Sequence, residues 1–269
     1  MDEDKITKIL KFYSLQNLNL SLNTYNFNGN DIHIFKIILN NDDKPVLFAL
    51  AGISNNSFNG TSAVILNKLE LLGTKFKEIY LVEYSSFGQK QIDACGLRDK
   101  LKHDHIGLGD DKLNNIIYKP ELDMNNEIAN NLNEIILMLN LNNVHLLGKC
   151  NGAWIVTLLL MKQYIYKGLY LSVLGIPFNV NMLHELPQNR LVDINFVFSW
   201  IKQDGFPFHW NSKSFQEKDK YDKTIREIAK NNNINMKYSS VMYDNQQSED
   251  KKQYHEIYPD MIDLIISEI

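Results

Sequence analysis

The sequence predicts an α/β fold, with a mostly parallel sheet and helices on both faces. Three observations carry that expectation. The run Val46-Leu47-Phe48-Ala49-Leu50-Ala51 is apolar on both faces, as a strand buried inside a parallel sheet must be. Strand-like and helix-like stretches then alternate to the end of the chain, after an initial antiparallel hairpin. Between two of them lies the glycine-bounded corner Gly148-Lys149-Cys150-Asn151-Gly152, which joins an apolar strand to an apolar helix.

Taken in order, residues 4–16 carry Ile6, Ile9, Leu10 and Tyr13 at helical spacing, so 1–23 reads as a helical extension and 24–269 as a single core domain. Asn28-Gly29-Asn30-Asp31 is a turn signal ahead of an alternating strand at 31–39. After the buried strand at 46–51 come a polar loop at 52–57, a helix around 61–72 and a strand at 78–84. Residues 88–123 are rich in charge and glycine, and no long element is read there. The segment 125–140 is an amphipathic helix with Ile128, Leu132, Ile135, Ile136 and Leu139 on one face. A strand at 144–147 leads through the glycine corner to a helix at 152–164. Strands at 169–174, 194–200 and 236–243 follow, with a helix near 217–231 and a closing helix at 256–268. No internal repeat, low-complexity tail or Pro/Ser-rich linker interrupts the order, so one domain is expected.

The composition, 44% hydrophobic and 22% charged over 269 residues, is that of a chain with one large core. A formal charge of −4 leaves no basic face for nucleic acid. No run reaches about 18 apolar residues, so no membrane span is expected. The start, Met1-Asp2-Glu3-Asp4, is acidic where a secretory signal is basic, which points to a reducing, cytoplasmic setting. The two cysteines, Cys95 and Cys150, lack paired metal spacing and cannot build a disulfide framework. The 33 asparagines read as a coding bias and receive no functional weight.

Chemistry concentrates at the corner. A residue presented on so sharp a strand-to-helix turn needs small residues two before and two after it, because their backbones crowd together. Gly148 and Gly152 supply them. The turn lifts the Cys150 sulfur to the helix N-terminus, where exposed N–H groups favour a thiolate. The plainer reading of a free cysteine is a small buried hydrophobe. Other motifs carry less. His103-Asp104-His105 lacks a third ligand and reads as a solvated loop. Gly107-Leu108-Gly109 precedes two aspartates, which repel phosphate. His209 ranks behind His255 as a base, Lys149 could raise the potential at the thiol, and 216–223 is a solvated charged face.

The order of elements from about residue 24 to 269 resembles the α/β-hydrolase fold, and Gly148-Lys149-Cys150-Asn151-Gly152 resembles its nucleophile elbow, in the cysteine form of the dienelactone hydrolases. Leu47–Ile53 resembles the strand and His-Gly loop of that family, with Ala51 where the family usually has histidine. Glu83–Gln89 resembles its next loop, matching at Gly88. The resemblance implies an oxyanion hole from the backbone N–H groups of Ile53 and Asn151. It also implies the chain order nucleophile, acid, histidine. Asp204 stands in the loop after the strand ending at Trp200, and His255 stands ahead of the closing helix. Read alone, Asp204 is equally a turn aspartate and His255 a surface histidine.

The implied reaction is cleavage of an ester, thioester or lactone through an acyl-thioester on Cys150, with His255 as base and Asp204 fixing its tautomer. Its partner is a small-molecule acyl substrate, with no metal and no organic cofactor. An acyltransferase on the same triad, or an inactive interaction protein with this architecture, remains the alternative. The segment 177–193, about 17 residues, is too short for a multi-helix cap, so an open site is expected, partly covered at most by 88–123. Phe58, Phe87, Trp154, Phe178, Phe206 and Phe208 suit an apolar acyl group near the site or the core itself.

Overall fold

Asn28 and Gly29 both take positive φ, 50° and 83°, and turn the chain between β1 (Asn19–Phe27) and β2 (Asn30–Ile38). A two-residue Asn-Gly loop of this kind matches the right-handed twist of the strands it joins. The structure, a computed structural model, describes residues 19–53, 55–104, 119–162, 166–172, 195–201, 222–224, 226–228, 230–231, 237–243 and 259–268.

The remaining strands are β3 (Val46–Leu50), β4 (Glu78–Glu83), β5 (Val144–Lys149), β6 (Gly168–Ser172), β7 (Asn195–Ile201) and β8 (Lys237–Tyr243). All eight form one sheet in the order β1-β2-β4-β3-β5-β6-β7-β8. The hairpin is antiparallel and β2 runs antiparallel to β4, while every pairing from β4 through β8 is parallel. The parallel strands therefore deliver their C-terminal ends to one edge of the sheet.

The helices are α1 (Asn55–Leu66), α2 (Leu69–Gly73), α3 (Gly88–Asp104), α4 (Lys119–Met138), α5 (Asn151–Leu160) and α6 (Pro259–Glu268). The two-residue period of β3 sorts its side chains between two cores. Val46, Phe48 and Leu50 meet Ile128, Leu132, Ile135 and Ile136 of α4 and the apolar residues of α5. Leu47 and Ala49 meet Phe58 and Ile65 of α1 and Met261, Ile262 and Ile265 of α6. Each such fully buried aliphatic side chain contributes roughly 1.5–3 kcal/mol. The sheet is thus covered on both faces, which explains why its central strands read as unbroken apolar runs.

Helix α4 ends where Asn140 takes φ 49°. The Asn140 N–H donates to the Leu137 carbonyl (3.0 Å) and the Leu141 N–H to the Ile136 carbonyl (3.4 Å), while buried Leu141 packs into the same core as Ile136. That is a left-handed cap closed by two bonds and an apolar contact, and it aims the chain into β5.

The structure differs from the sequence reading at several places. Residues 19–23, assigned to a helical extension, are strand β1; residues 1–18 lie outside the described residues. Helix α1 starts at Asn55, inside the expected polar loop, and a turn at 67–68 separates it from α2. Helix α4 starts at Lys119, earlier than expected, with Pro120 in its first turn. The segment 88–104, read as irregular, is α3. Its apolar residues misled the pattern. Ile92 and Leu97 are 64% and 48% exposed, and the side packed on α4 carries instead Ala94, Cys95 and Lys90. The expected open site and the shortness of 177–193 concern a segment outside the described residues.

In the middle of the sheet, His145 of β5 shares a 2.6 Å hydrogen bond with the Tyr170 hydroxyl through Nδ1 and meets the Phe76 ring edge-on. Burial, and then the charge of Lys167, hold its pKa down from 6.5 to about 4. Between those values the unfolded chain binds a proton that the folded chain does not. Stability is therefore lost as pH falls from 6.5 toward 4, by about 2 kcal/mol at pH 5. Urea unfolding at pH 7 and pH 5 checks this: His145→Asn should lose less stability on acidification than the wild type by about that amount. An equal loss in both proteins contradicts it.

Candidate active site

One residue separates the last residue of β5 from the first of α5. Cys150 takes φ 55° and ψ −124°, a combination that L-residues with a Cβ rarely adopt, at a cost of about 1–3 kcal/mol. The turn is closed by the Ala153 N–H donating to the Cys150 carbonyl at 2.9 Å. Packing around it leaves the backbone no alternative. A Cβ on Gly148 would stand 2.6 Å from the Ala153 Cα, the Gly152 carbonyl oxygen and Val156 Cγ2. One on Gly152 would run into the Ala51 carbonyl oxygen and stand 2.6 Å from that of Leu50. Both glycines are therefore required by close approach, Gly148 against α5 and Gly152 against the end of β3. Cys150 itself is half-buried and unoxidised, at the head of a helix whose ten residues are all buried.

The chain leaving β3 passes directly over this corner. Ala51 is buried, and Ile53 is half-buried and packs against the core that holds Trp154. The Tyr84 hydroxyl donates to the Ala51 carbonyl at 2.7 Å. Burial pushes the Tyr84 phenol well above its usual pKa; a hydrogen bond from the Asn151 side chain works against that rise, and the charges of Cys150 and Glu83 add to it. Tyr84 thus remains a neutral donor at any working pH. Asn151 is paired with Asn125 of α4 by two reciprocal amide hydrogen bonds of 3.0 Å each. Asn125 is 0% exposed and Asn151 2%.

Of the residues singled out from the sequence, the structure brings together Gly148, Cys150, Asn151, Gly152 and the Ala51–Ile53 segment. Asp204, His255 and His209 lie outside the described residues, as do Phe178, Phe206 and Phe208. Phe58, Phe87 and Trp154 are core residues, at most 4% exposed. Lys149 is 1% exposed and so belongs to the interior too. Tyr84 and Asn125 were missed. Tyr84 ends a predicted strand and looked like one more core aromatic, and Asn125 was one asparagine among 33. Among the described residues no group of three His, Cys, Asp or Glu side chains is placed to hold a metal ion, and no helix is long and apolar enough to cross a membrane.

No family model and no curated protein sequence matches this chain. Solved structures do resemble it. An enterobactin hydrolase, IroE, in complex with DFP has a TM-score of 0.55 at 11% identity, over 93% of this chain and 94% of that one. A thermostable esterase has a TM-score of 0.52 at 12% identity, and an uncharacterised protein from Capnocytophaga ochracea DSM 7271 has 0.54 at 7%. Each of these two covers 93% of this chain, which spans 63% of their length. The likeness is one of fold. With its strand order and antiparallel leading hairpin, the chain has an α/β-hydrolase-like fold.

The glycine contacts make opposite predictions at two positions. Gly152→Ala should lower stability by about 3 kcal/mol or more, since backbone must move on both sides. Gly96, inside α3 with nothing within 4 Å of a Cβ, should gain about 0.5–1 kcal/mol when changed to alanine. Urea denaturation of the two variants checks both signs.

Proposed function

We propose that the chain hydrolyses an ester, thioester or lactone, with Cys150 as nucleophile, His255 as general base and Asp204 as the acid that orients it. The observation that carries this reading is the strained Cys150 backbone, at φ 55°, held at the head of α5 by two glycines that admit no side chain. Strain of that kind persists only where the surroundings over-determine it, and it clusters at reactive positions. The named hydrolase and esterase among the fold neighbours are consistent with the reaction class.

Topology supports the remaining two members. Strands β5, β6, β7 and β8 are parallel neighbours, so the chain leaves β7 and β8 at the edge where Cys150 leaves β5. Asp204 follows the last residue of β7 by three positions, a reach on the order of 10 Å. Two strand spacings, roughly 10 Å, separate β7 from β5. His255 follows β8 by twelve positions, ample for the third spacing.

In this mechanism His255 takes the thiol proton as the sulfur attacks the substrate carbonyl. The developing oxyanion is received by the backbone N–H groups of Ile53 and Asn151, where loss of one donor typically costs about 2.7–4 kcal/mol of transition-state stabilisation. The tetrahedral species collapses, the C–O bond of the leaving group breaks, and the proton on His255 passes to the departing alcohol. Water, deprotonated by His255, then attacks the thioester, and the acid leaves as the thiol is restored.

Hydrolysis of p-nitrophenyl acetate and butyrate tests the reading. Cys150→Ala should lower kcat by about a thousandfold or more; retained turnover in that variant would overturn the role of Cys150, and a wild type with no turnover would leave an inactive protein of this architecture. In parallel, iodoacetamide should alkylate Cys150 faster than Cys95, with a pH midpoint below the ordinary thiol value of about 8.5. Equal rates at the two cysteines would remove the activated nucleophile.

A further inference from the structure

Resting on that reading, we infer that Asn125 and Tyr84 are positioning residues that set the spacing between the two halves of the oxyanion hole. The two donors belong to different segments: the Asn151 N–H opens α5, whereas the Ile53 N–H lies in the chain leaving β3. Nothing covalent holds them in register. Two contacts do. Gly152 rests against the carbonyls of Leu50 and Ala51, which fixes how closely the segments approach. The Tyr84 hydroxyl donates to the same Ala51 carbonyl at 2.7 Å and fixes where it points.

The Asn151 side chain also faces the Tyr84 phenol, and holds its pKa below what burial alone would give. The Asn151 amide is turned the right way by its reciprocal pair with Asn125, two bonds of 3.0 Å. The circuit Asn125–Asn151–Tyr84–Ala51 therefore starts on α4, passes through the residue after the nucleophile, and ends two residues before the second donor. All four members are at most 2% exposed. In such an interior, hydrogen bonds strengthen one another and restrict the geometry to one arrangement. Apolar residues of the same volume would fill this space without stripping water from two amides. What the amides add is direction, and the direction they fix is that of the donors.

The experiment compares Tyr84→Phe and Asn125→Ala with the full-length wild type by two assays of the same thiol. Ester turnover develops an oxyanion at a carbonyl. Alkylation by iodoacetamide displaces iodide at a saturated carbon, develops none, and so reads only the thiolate. Each variant should lower kcat for p-nitrophenyl acetate by about 10–100-fold, a fraction of what deleting a donor outright does. KM and the alkylation rate of Cys150 should stay within about twofold, and the double variant should lose less than the product of the single losses, as members of one network do. Unchanged kcat in a folded variant overturns the inference. So does a parallel fall in turnover and alkylation, which would mark the network as support for the thiol or the fold. Where Asn125→Ala does not fold, Tyr84→Phe, which removes one oxygen, decides alone. Failure of the esterase reading itself shows separately, as wild-type turnover that does not depend on Cys150, and it takes this inference with it.

Discussion

Gly152 sits where the first turn of α5 meets the carbonyls of Leu50 and Ala51, nearer than any side chain would permit. From that approach the rest of the site follows. It brings the end of β3 against the start of α5, closes the corner over Gly148, and forces the intervening residue into a left-handed backbone that Cys150 would not choose for itself. The strain is held because β3 and β5 are adjacent central strands packed on both faces, so relaxing the corner would open one core or the other. A weak local preference is overruled by strong packing at a distance. That is the physical sense in which the site is preorganised.

The polar residues beneath the corner work in the same direction. A buried tyrosine hydroxyl and a pair of amides are costly to desolvate, and their donors and acceptors are paired between α4, the chain just after β4 and the two segments of the corner. Apolar packing sets distances between elements, and these bonds set rotations. The phenol of Tyr84 lies on the same line of contact as the corner rather than on a separate part of the core.

Much of this was legible in the residues. The unbroken apolar run at 46–50, the Asn28-Gly29 turn and the two glycines flanking Cys150 each have one economical explanation, and the mostly parallel sheet, the leading hairpin and the sharp strand-to-helix corner follow from them. What was not legible has equally specific causes. Helix α3 buries Ala94 and meets α4 through Cys95 and the ion pair of Lys90 with Glu127 while exposing Ile92 and Leu97, so its pattern carries no helical period. Strand β1 is edge-placed and mostly polar, with half-buried Leu20, Leu22, Tyr25 and Phe27 alternating only loosely, and its first residues resemble the segment before it. Asn125 and Tyr84 matter through partners distant in sequence by 26 and 33 positions, and no local window contains both ends of such a bond. Composition hid the first further, as one among many asparagines, and the second stands at the close of an apolar strand.

Every residue of α5 is buried, on all sides of the helix. Such an element has no solvent-facing stripe on which to slide, tilt or fray, and displacing it by one turn would open the core it shares with β3 and α4. The anvil of this site is therefore stationary. In the proposed reaction, whatever breathing admits a substrate and releases a product must occur in parts that can move without dragging α5 along, so the tempo of exchange and the chemistry proposed at the sulfur would be set by different regions and could be tuned separately.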